Sequence, residues 1–299
     1  MASVKLLVIV LVVQAVIGLT LIALVATDNV PFIDGEGDSA ADPPTPAVAV
    51  DRFDGAAAYD LLVDQVALGP RPAGSEPSRR LAARLSELVP RGRYQPVQGG
   101  LRNVIGYVPG RERGYIVVGA HYDTKDIPGF VGANDGASGT AIVAELSRTL
   151  KRPRHGIYFI FFDGEESPRG TPNYAFVRRG LRGSKVAAPR FRDARAMVLL
   201  DFVGDHRLRI PREANSSPGL WRKLRAAAKR VGAGRVFPDE TFGAVSDDHV
   251  PFLQQGVPSI DLIDFDFPCF HRICDDLGVV SERSLDAVGE TVLELVRDL

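Results

Sequence analysis

The chain has 299 residues, of which 45% are hydrophobic and 24% charged. That is a globular composition, long enough for one large domain with its own core. With 36 basic against 37 acidic residues, there is no electrostatic footprint for nucleic acid or for a strongly acidic partner.

The first predicted element stands apart from that domain. From Leu6 to Ala26 the run LLVIVLVVQAVIGLTLIALVA carries no charge, and a helix of this length spans about 30 Å, the thickness of a bilayer core. The stretch is longer than a signal-peptide core, and Leu24-Val25-Ala26 puts a large residue where a cleavage site needs a small one. Residues 1–26 are therefore read as a transmembrane signal anchor, with a cleaved signal peptide as the alternative. Lys5 before the segment and Asp28 after it orient the rest of the chain outside the cytoplasm, membrane-anchored, or secreted if the segment is cut. Residues 27–52, rich in Pro, Ala, Gly and acid, are too poor in large apolar side chains to fold and are expected to form a flexible linker.

The folded domain is expected over residues 53–299. It opens with two helical patterns, Tyr59 to Leu68 and Glu76 to Val89, separated by the loop GPRPAGS. Strands are predicted at Asn103 to Val108, Tyr115 to Ala120, Ile157 to Phe162, Ala196 to Leu200 and Pro258 to Ile263. Helices are predicted at Ala137 to Leu150, Leu220 to Val231, Val250 to Gln255 and Ser281 to Leu299. Strands alternating with helices imply an α/β domain with a largely parallel sheet covered on both faces.

The polar residues follow that scaffold. His121 and Asp123 come directly after the strand YIVVGA, and Asp135 lies in GANDGASG before a helix. Glu165 and Glu166 end FIFFDGEE, Asp201 ends AMVLLD, Asp247 and Asp248 precede the short helix, and His271 follows the last strand. A parallel sheet gathers the carboxyl ends of its strands into one place, which is where ligands bind. Carboxylates and imidazoles so gathered suit a catalytic zinc. Neighbouring glutamates cannot point the same way, so one is free to bind metal while the other moves a proton. Asp123, two residues past His121, is read as a partner that fixes the imidazole or as a bystander on the opposite face. No HExxH, Walker loop, GxGxxG or G-x-S-x-G is present.

The ordered motifs HYDTK, GANDGASG, FFDGEES, LLDFVG, SDDHVPFLQQGVP and FPCFHRICDD resemble metallopeptidase family 28, the zinc aminopeptidases and their relatives the glutaminyl cyclases, from about Leu68 onward. The resemblance implies a three-layer α/β/α zinc-exopeptidase-like domain with a mixed, largely parallel sheet. It implies metal ligands at His121, Asp135, Glu166, Asp201 and His271, with Glu165 as general base and Asp123 orienting the first histidine. In the aminopeptidase branch two zinc ions share Asp135. In the cyclase branch one zinc is held by Asp135, Glu166 and His271, while Glu165, Asp201 and Asp247 form an acid network. Lys125, Asp247-Asp248 before His249, and Phe267-Pro268 leading to His271 look like the cyclase. GANDGASG is the peptidase form, and Phe270 stands where cyclases often carry a tryptophan that packs on substrate.

The expectation is thus a zinc-dependent glutaminyl-peptide cyclotransferase acting on peptide or protein N-termini. The alternatives are a zinc aminopeptidase and a decayed, membrane-tethered binding ectodomain. Lys125 is either a surface lysine or the cation that neutralises a carboxylate and keeps a second metal out. His155, among Lys151, Arg152 and Arg154, and His206 are expected in solvated turns, and His249 is expected to support Asp247. Asp261, Asp264 and Asp266 either grip a substrate amine or solvate a loop. Cys269 and Cys274 either form a disulfide across the His271 loop or remain a free pair.

Overall fold

The computed structural model describes residues 43–299. The apolar segment Leu6 to Ala26 lies outside the described residues. Among the described residues, no helix is long and apolar enough to cross a membrane. Residues 44–299 form one compact unit.

Two helices come first, α1 (Gly55–Val66) and α2 (Glu76–Leu88). Each is started by a side-chain cap: Asp54 accepts from the Ala57 amide and Ser75 from that of Ser78. Three strands follow, β1 (Arg93–Val97), β2 (Leu101–Val108) and β3 (Glu112–His121), then α3 (Gly139–Thr149) and β4 (His155–Phe162). Short helices α4 (Phe176–Arg179) and α5 (Arg182–Ala187) precede β5 (Met197–Asp201). The chain closes with α6 (Pro218–Val231), α7 (His249–Gln254), β6 (Ser259–Ile263) and α8 (Glu282–Asp298).

The six strands form one sheet in the order β1-β2-β4-β3-β5-β6. β4, β3, β5 and β6 run parallel, and β2 is antiparallel to both of its neighbours. On one face Val118, Phe159, Phe161, Val198, Leu200, Ile260 and Leu262 join a large core with residues of α1, α2, α3, α6 and α8. The other face packs Ile105, Val117, Ile160, Phe162, Met197 and Leu199 against Ala187, Phe191 and Phe252. A residue's face alternates along each strand, so these strands, buried on both sides, read as continuous apolar runs. From β3 the chain crosses through α3 to β4, then passes back to β5 on the far side of β3. This reversal opens a crevice at the carboxyl ends of the central strands.

Three differences from the sequence reading have local causes. β1 escaped notice because RYQPV carries a proline and little apolar pattern; as an edge strand paired only to β2, it tolerates both. His155, expected in a solvated turn, is buried as the first residue of β4; its charged neighbours hid the strand start. The stretch from Thr45 to Arg52, assigned to the linker, is laid on the domain. Thr45 and Ala49 donate their amides to the His206 and Val231 carbonyls, and Arg52 pairs with Glu290 and Glu294. Composition marks such a stretch as unable to form its own core, but its small side chains fit the surface of an existing one.

Candidate metal centre and active site

Strand ends β3, β4 and β5 deliver His121, the Asp163–Glu166 turn and Asp201 to one place, and two loops complete the set. His121 Nε2 lies 3.2 Å from Asp135 Oδ1 and 3.2 Å from Asp201 Oδ1. His271 Nε2 lies 3.0 Å from Glu166 Oε1 and 3.5 Å from Asp135 Oδ2. Two groups of ligand atoms therefore converge, His121/Asp135/Asp201 and Asp135/Glu166/His271, the atoms of each lying within 4.8 Å of one another. Asp135 belongs to both.

The donor chemistry fits a zinc ion. Asp135 Oδ2 is buried without a hydrogen-bond partner, a cost that a cation would remove. His121 Nδ1 lies 3.0 Å from the Asp123 carbonyl. Because a carbonyl only accepts, Nδ1 carries the hydrogen, and Nε2 is the atom turned to the carboxylates. Burial lowers the pKa of His121, yet Asp201, Asp123 and Asp135 outweigh it and hold the value well above the ordinary range. A proton and a metal therefore compete for the same edge of this ring.

Asp123 meets His121 through its main chain more closely than through its side chain. Its carboxylate oxygen is 3.8 Å from His121 Nδ1, beyond hydrogen-bond reach. Instead it accepts the backbone N–H groups of Gly164, Glu165 and Glu166 at 3.0, 3.2 and 3.2 Å. The opposite side of that turn is also held: Arg182 donates to the carbonyls of Gly164 and Glu166, and Leu181 N to that of Glu165. Asp123 orients the imidazole with its main chain and fixes the two glutamates with its side chain. Sequence reading missed Arg182, which acts from a helix it did not anticipate.

Glu165 and Glu166 both line the cavity, and Glu166 is turned to His271 and Lys125. Burial, then the charge of Glu166, pushes the Glu165 carboxyl well above the usual carboxylate range. Burial opposes ionisation of Glu166 as well, but His271 and Lys125 win and its pKa is lowered. Lys125 Nζ approaches Glu166 Oε2 to 2.6 Å, so it is the neutralising cation rather than a surface lysine.

The cavity above these groups has a volume of about 360 Å³. Asp135, Glu165, Glu166, Asp201, Asp247 and His271 supply its polar wall; Phe176, Phe202, Ile263, Phe265 and Phe270 supply the apolar one. Phe270 stacks on the His271 ring at 3.9 Å between centroids and is 38% exposed, so part of its ring still meets the cavity. Burial raises the Asp247 carboxyl, and Asp247 Oδ2 has no hydrogen-bond partner. Asp248 is fully buried and does not line the cavity. Behind Asp247, the buried His249 lies 3.2 Å from Glu213 Oε2 and 3.5 Å from Asp261 Oδ2. Asp261 therefore faces the protein interior and not a substrate, Asp264 accepts the Arg209 amide, and His206 is exposed in a turn.

His271 has φ +52° and Phe202, beside Asp201, has φ +46°. Both are in the left-handed region that non-glycine residues avoid, and such strain collects at functional sites. Cys269 and Cys274 form a disulfide that encloses His271.

Residues 103–296 match Peptidase family M28. The chain is 29% identical over 223 residues to the glutaminyl-peptide cyclotransferase of Bos taurus, a match covering 62% of this chain and 61% of that protein. It thus spans about 60% of the length of the curated relatives it matches. Among solved structures it is similar to a glutaminyl cyclase from an Acidobacteriales bacterium, with 32% identity, TM-score 0.72, and 83% and 95% of the two chains covered. A Zn-dependent exopeptidase from Parabacteroides distasonis is similar at 26% identity and TM-score 0.74, with 84% and 100% covered.

Proposed function

The chain belongs to peptidase family M28, and on that premise we propose that it is a zinc-dependent glutaminyl cyclase, converting an N-terminal glutamine of a peptide or protein to pyroglutamate with release of ammonia. The observation that carries this reading is the unequal placement of the two ligand groups. Asp135, Glu166 and His271 all line the cavity, whereas in the second group Asp135 and Asp201 line it but His121 does not: it is 1% exposed and has both ring nitrogens engaged by Asp123, Asp135 and Asp201. That arrangement supports one metal position open to substrate.

Asp135, Glu166 and His271 would hold the ion, which when bound supplies Lewis-acid polarisation of the substrate's side-chain carboxamide carbonyl. Glu165, whose carboxyl is pushed up by burial and then by the charge of Glu166, takes a proton from the attacking α-amine and returns it to the departing nitrogen. One C–N bond forms, one breaks, and the nitrogen leaves as ammonia. Asp247, which lines the cavity, accepts a hydrogen bond from the amine and orients it. Asp201 completes the acid network through His121. The wall of Phe202, Phe265 and Phe270 packs the methylene groups and keeps water from competing with the amine.

A second reading, aminopeptidase activity, is favoured by the convergence of His121, Asp135 and Asp201 as a further ligand group and by likeness to the Zn-dependent exopeptidase. One experiment separates them: the zinc-loaded chain is incubated with a Gln-initiated and a Leu-initiated peptide, and product masses are read. Loss of ammonia from the first supports the cyclase. Removal of a residue from the second overturns it, and no turnover of either supports the binding-ectodomain alternative. We further propose that the domain lies outside the cytoplasm, anchored by the segment 6–26 or secreted if that segment is cut, a reading that the Cys269–Cys274 disulfide supports. Protease protection in intact cells tests that placement.

A further inference from the structure

The turn that carries Asp135 has little conventional structure of its own. Gly132 has φ +53° and Gly136 φ +91°, and Asp135 itself leaves helical geometry at φ −80°, ψ 100°. On each of the five residues from Val131 to Asp135 one backbone polar group nevertheless meets Arg71 or Asp275, while the Gly132 carbonyl also accepts the Ala137 amide and the Asn134 carbonyl the Ser138 hydroxyl. Arg71, 0% exposed, donates from its guanidinium to the carbonyls of Val131 at 2.9 Å and Gly132 at 3.2 Å. It also reaches back to the carbonyls of Gln65 and Gly69, which anchor it to the end of α1. Asp275, likewise 0% exposed, accepts the Asn134 amide at 2.7 Å and the Asp135 amide at 3.0 Å on its two carboxylate oxygens. Its own carbonyl takes the Ala133 amide at 3.3 Å.

We infer that Arg71 and Asp275 form a two-sided backbone clamp that sets the Val131–Asp135 turn, so that Asp135 presents its carboxylate between His121 and His271 before any metal binds. They are positioning residues for the ion, and the inference rests on the metal-site reading above. The chemistry is specific on both sides. A planar guanidinium fork satisfies several carbonyls at once, which an ammonium cannot do in the same geometry. Only a carboxylate offers two acceptor oxygens to two neighbouring amides. Asp135 is the ligand shared by both groups, so a small displacement of this turn disturbs every ligand set the site can form. Asp275 also follows Cys274 directly, so the disulfide loop that contains His271 ends next to the residue that holds Asp135.

The test is zinc affinity of the 299-residue chain, read by competition with a chromophoric chelator, alongside thermal unfolding of the metal-free protein. Asp275→Asn and the milder Arg71→Lys are each expected to weaken zinc binding by about 10- to 100-fold, the usual cost of losing an outer partner of a metal ligand. The control is Glu290→Gln. Glu290 is an equally buried carboxylate that accepts the Arg52 and Phe53 amides away from the site. It is expected to lower the unfolding temperature and leave zinc affinity unchanged. Unaltered affinity in both clamp variants, or an equal loss in the control, overturns the clamp while the metal site stands. A wild-type chain that binds no zinc overturns both.

Discussion

Lys125 Nζ lies 2.6 Å from Glu166 Oε2, while His271 occupies the side of the other oxygen, 3.0 Å from Oε1. The carboxylate is divided between a permanent cation and the metal-facing side. Burial lowers the pKa of Lys125, but Glu166, Glu165 and Asp135 together raise it above its ordinary value, so it stays charged through neutral pH. Lys125→Met is expected to leave a buried oxygen without its donor and to destabilise the metal-free protein by about 1–3 kcal/mol. Denaturant unfolding with chelator present measures this, and an unchanged midpoint argues against the division.

Glu165→Gln is expected to lower kcat on a Gln-initiated peptide by about 10²- to 10⁴-fold, the range for a general base, with zinc affinity unchanged. Parallel loss of metal would make Glu165 a ligand and Glu166 the base.

His271, inside the loop closed by the Cys269–Cys274 disulfide, has a left-handed conformation that costs a non-glycine residue on the order of 1–3 kcal/mol. Paired replacement of both cysteines by serine is expected to let that loop relax and to weaken zinc binding about tenfold, with about 1.4 kcal/mol of relaxation sufficing for that factor. Zinc titration of the variant, compared with the wild type under a non-chelating reductant, should give matching losses. An unaffected affinity would assign the strain to other contacts.

Asp286 on α8 offers a pH test away from the metal. Burial, then the charges of Glu290, Asp51, Glu282 and Asp54, raises its folded-state pKa to about 7, against about 3.9 unfolded. The folded protein thus prefers the protonated carboxyl. The stability from this group is fully present below the unfolded value and is lost as pH rises through about 7. Asp286→Asn is expected to raise the melting temperature at pH 8 and to have little effect near pH 4. A benefit that does not grow with pH would contradict the assignment.

The central strands and the acids at their ends were legible because burial on both faces writes an unbroken apolar run, and a run that stops in FDGEE or LLD marks its own end. The apolar predictions Tyr115 to Ala120 and Ile157 to Phe162 fall inside β3 and β4. The short helix α5, which supplies Arg182, was illegible because six residues offer no periodicity to read. For Arg71 the available signal was an arginine in a Gly/Pro loop, and for Asp275 an acid four residues past His271. Neither announces a partner, since Arg71 bonds a carbonyl 61 positions away and Asp275 an amide 140 away.

Residue identity along single segments determined which groups reach the crevice: apolar strands, terminal acids and flanking histidines follow from local periodicity and the parallel arrangement it implies. Only the tertiary structure decided what each group does there. It turned the Asp123 carboxylate to the backbone of Gly164 to Glu166, left His121 out of the cavity wall that His271 joins, and joined Lys125 to Glu166. The physical reason is direction. A sequence pattern fixes which side of a strand a residue occupies, but hydrogen bonds depend on angles and distances of a few ångströms between segments far apart in the chain, and these exist only once the layers have packed.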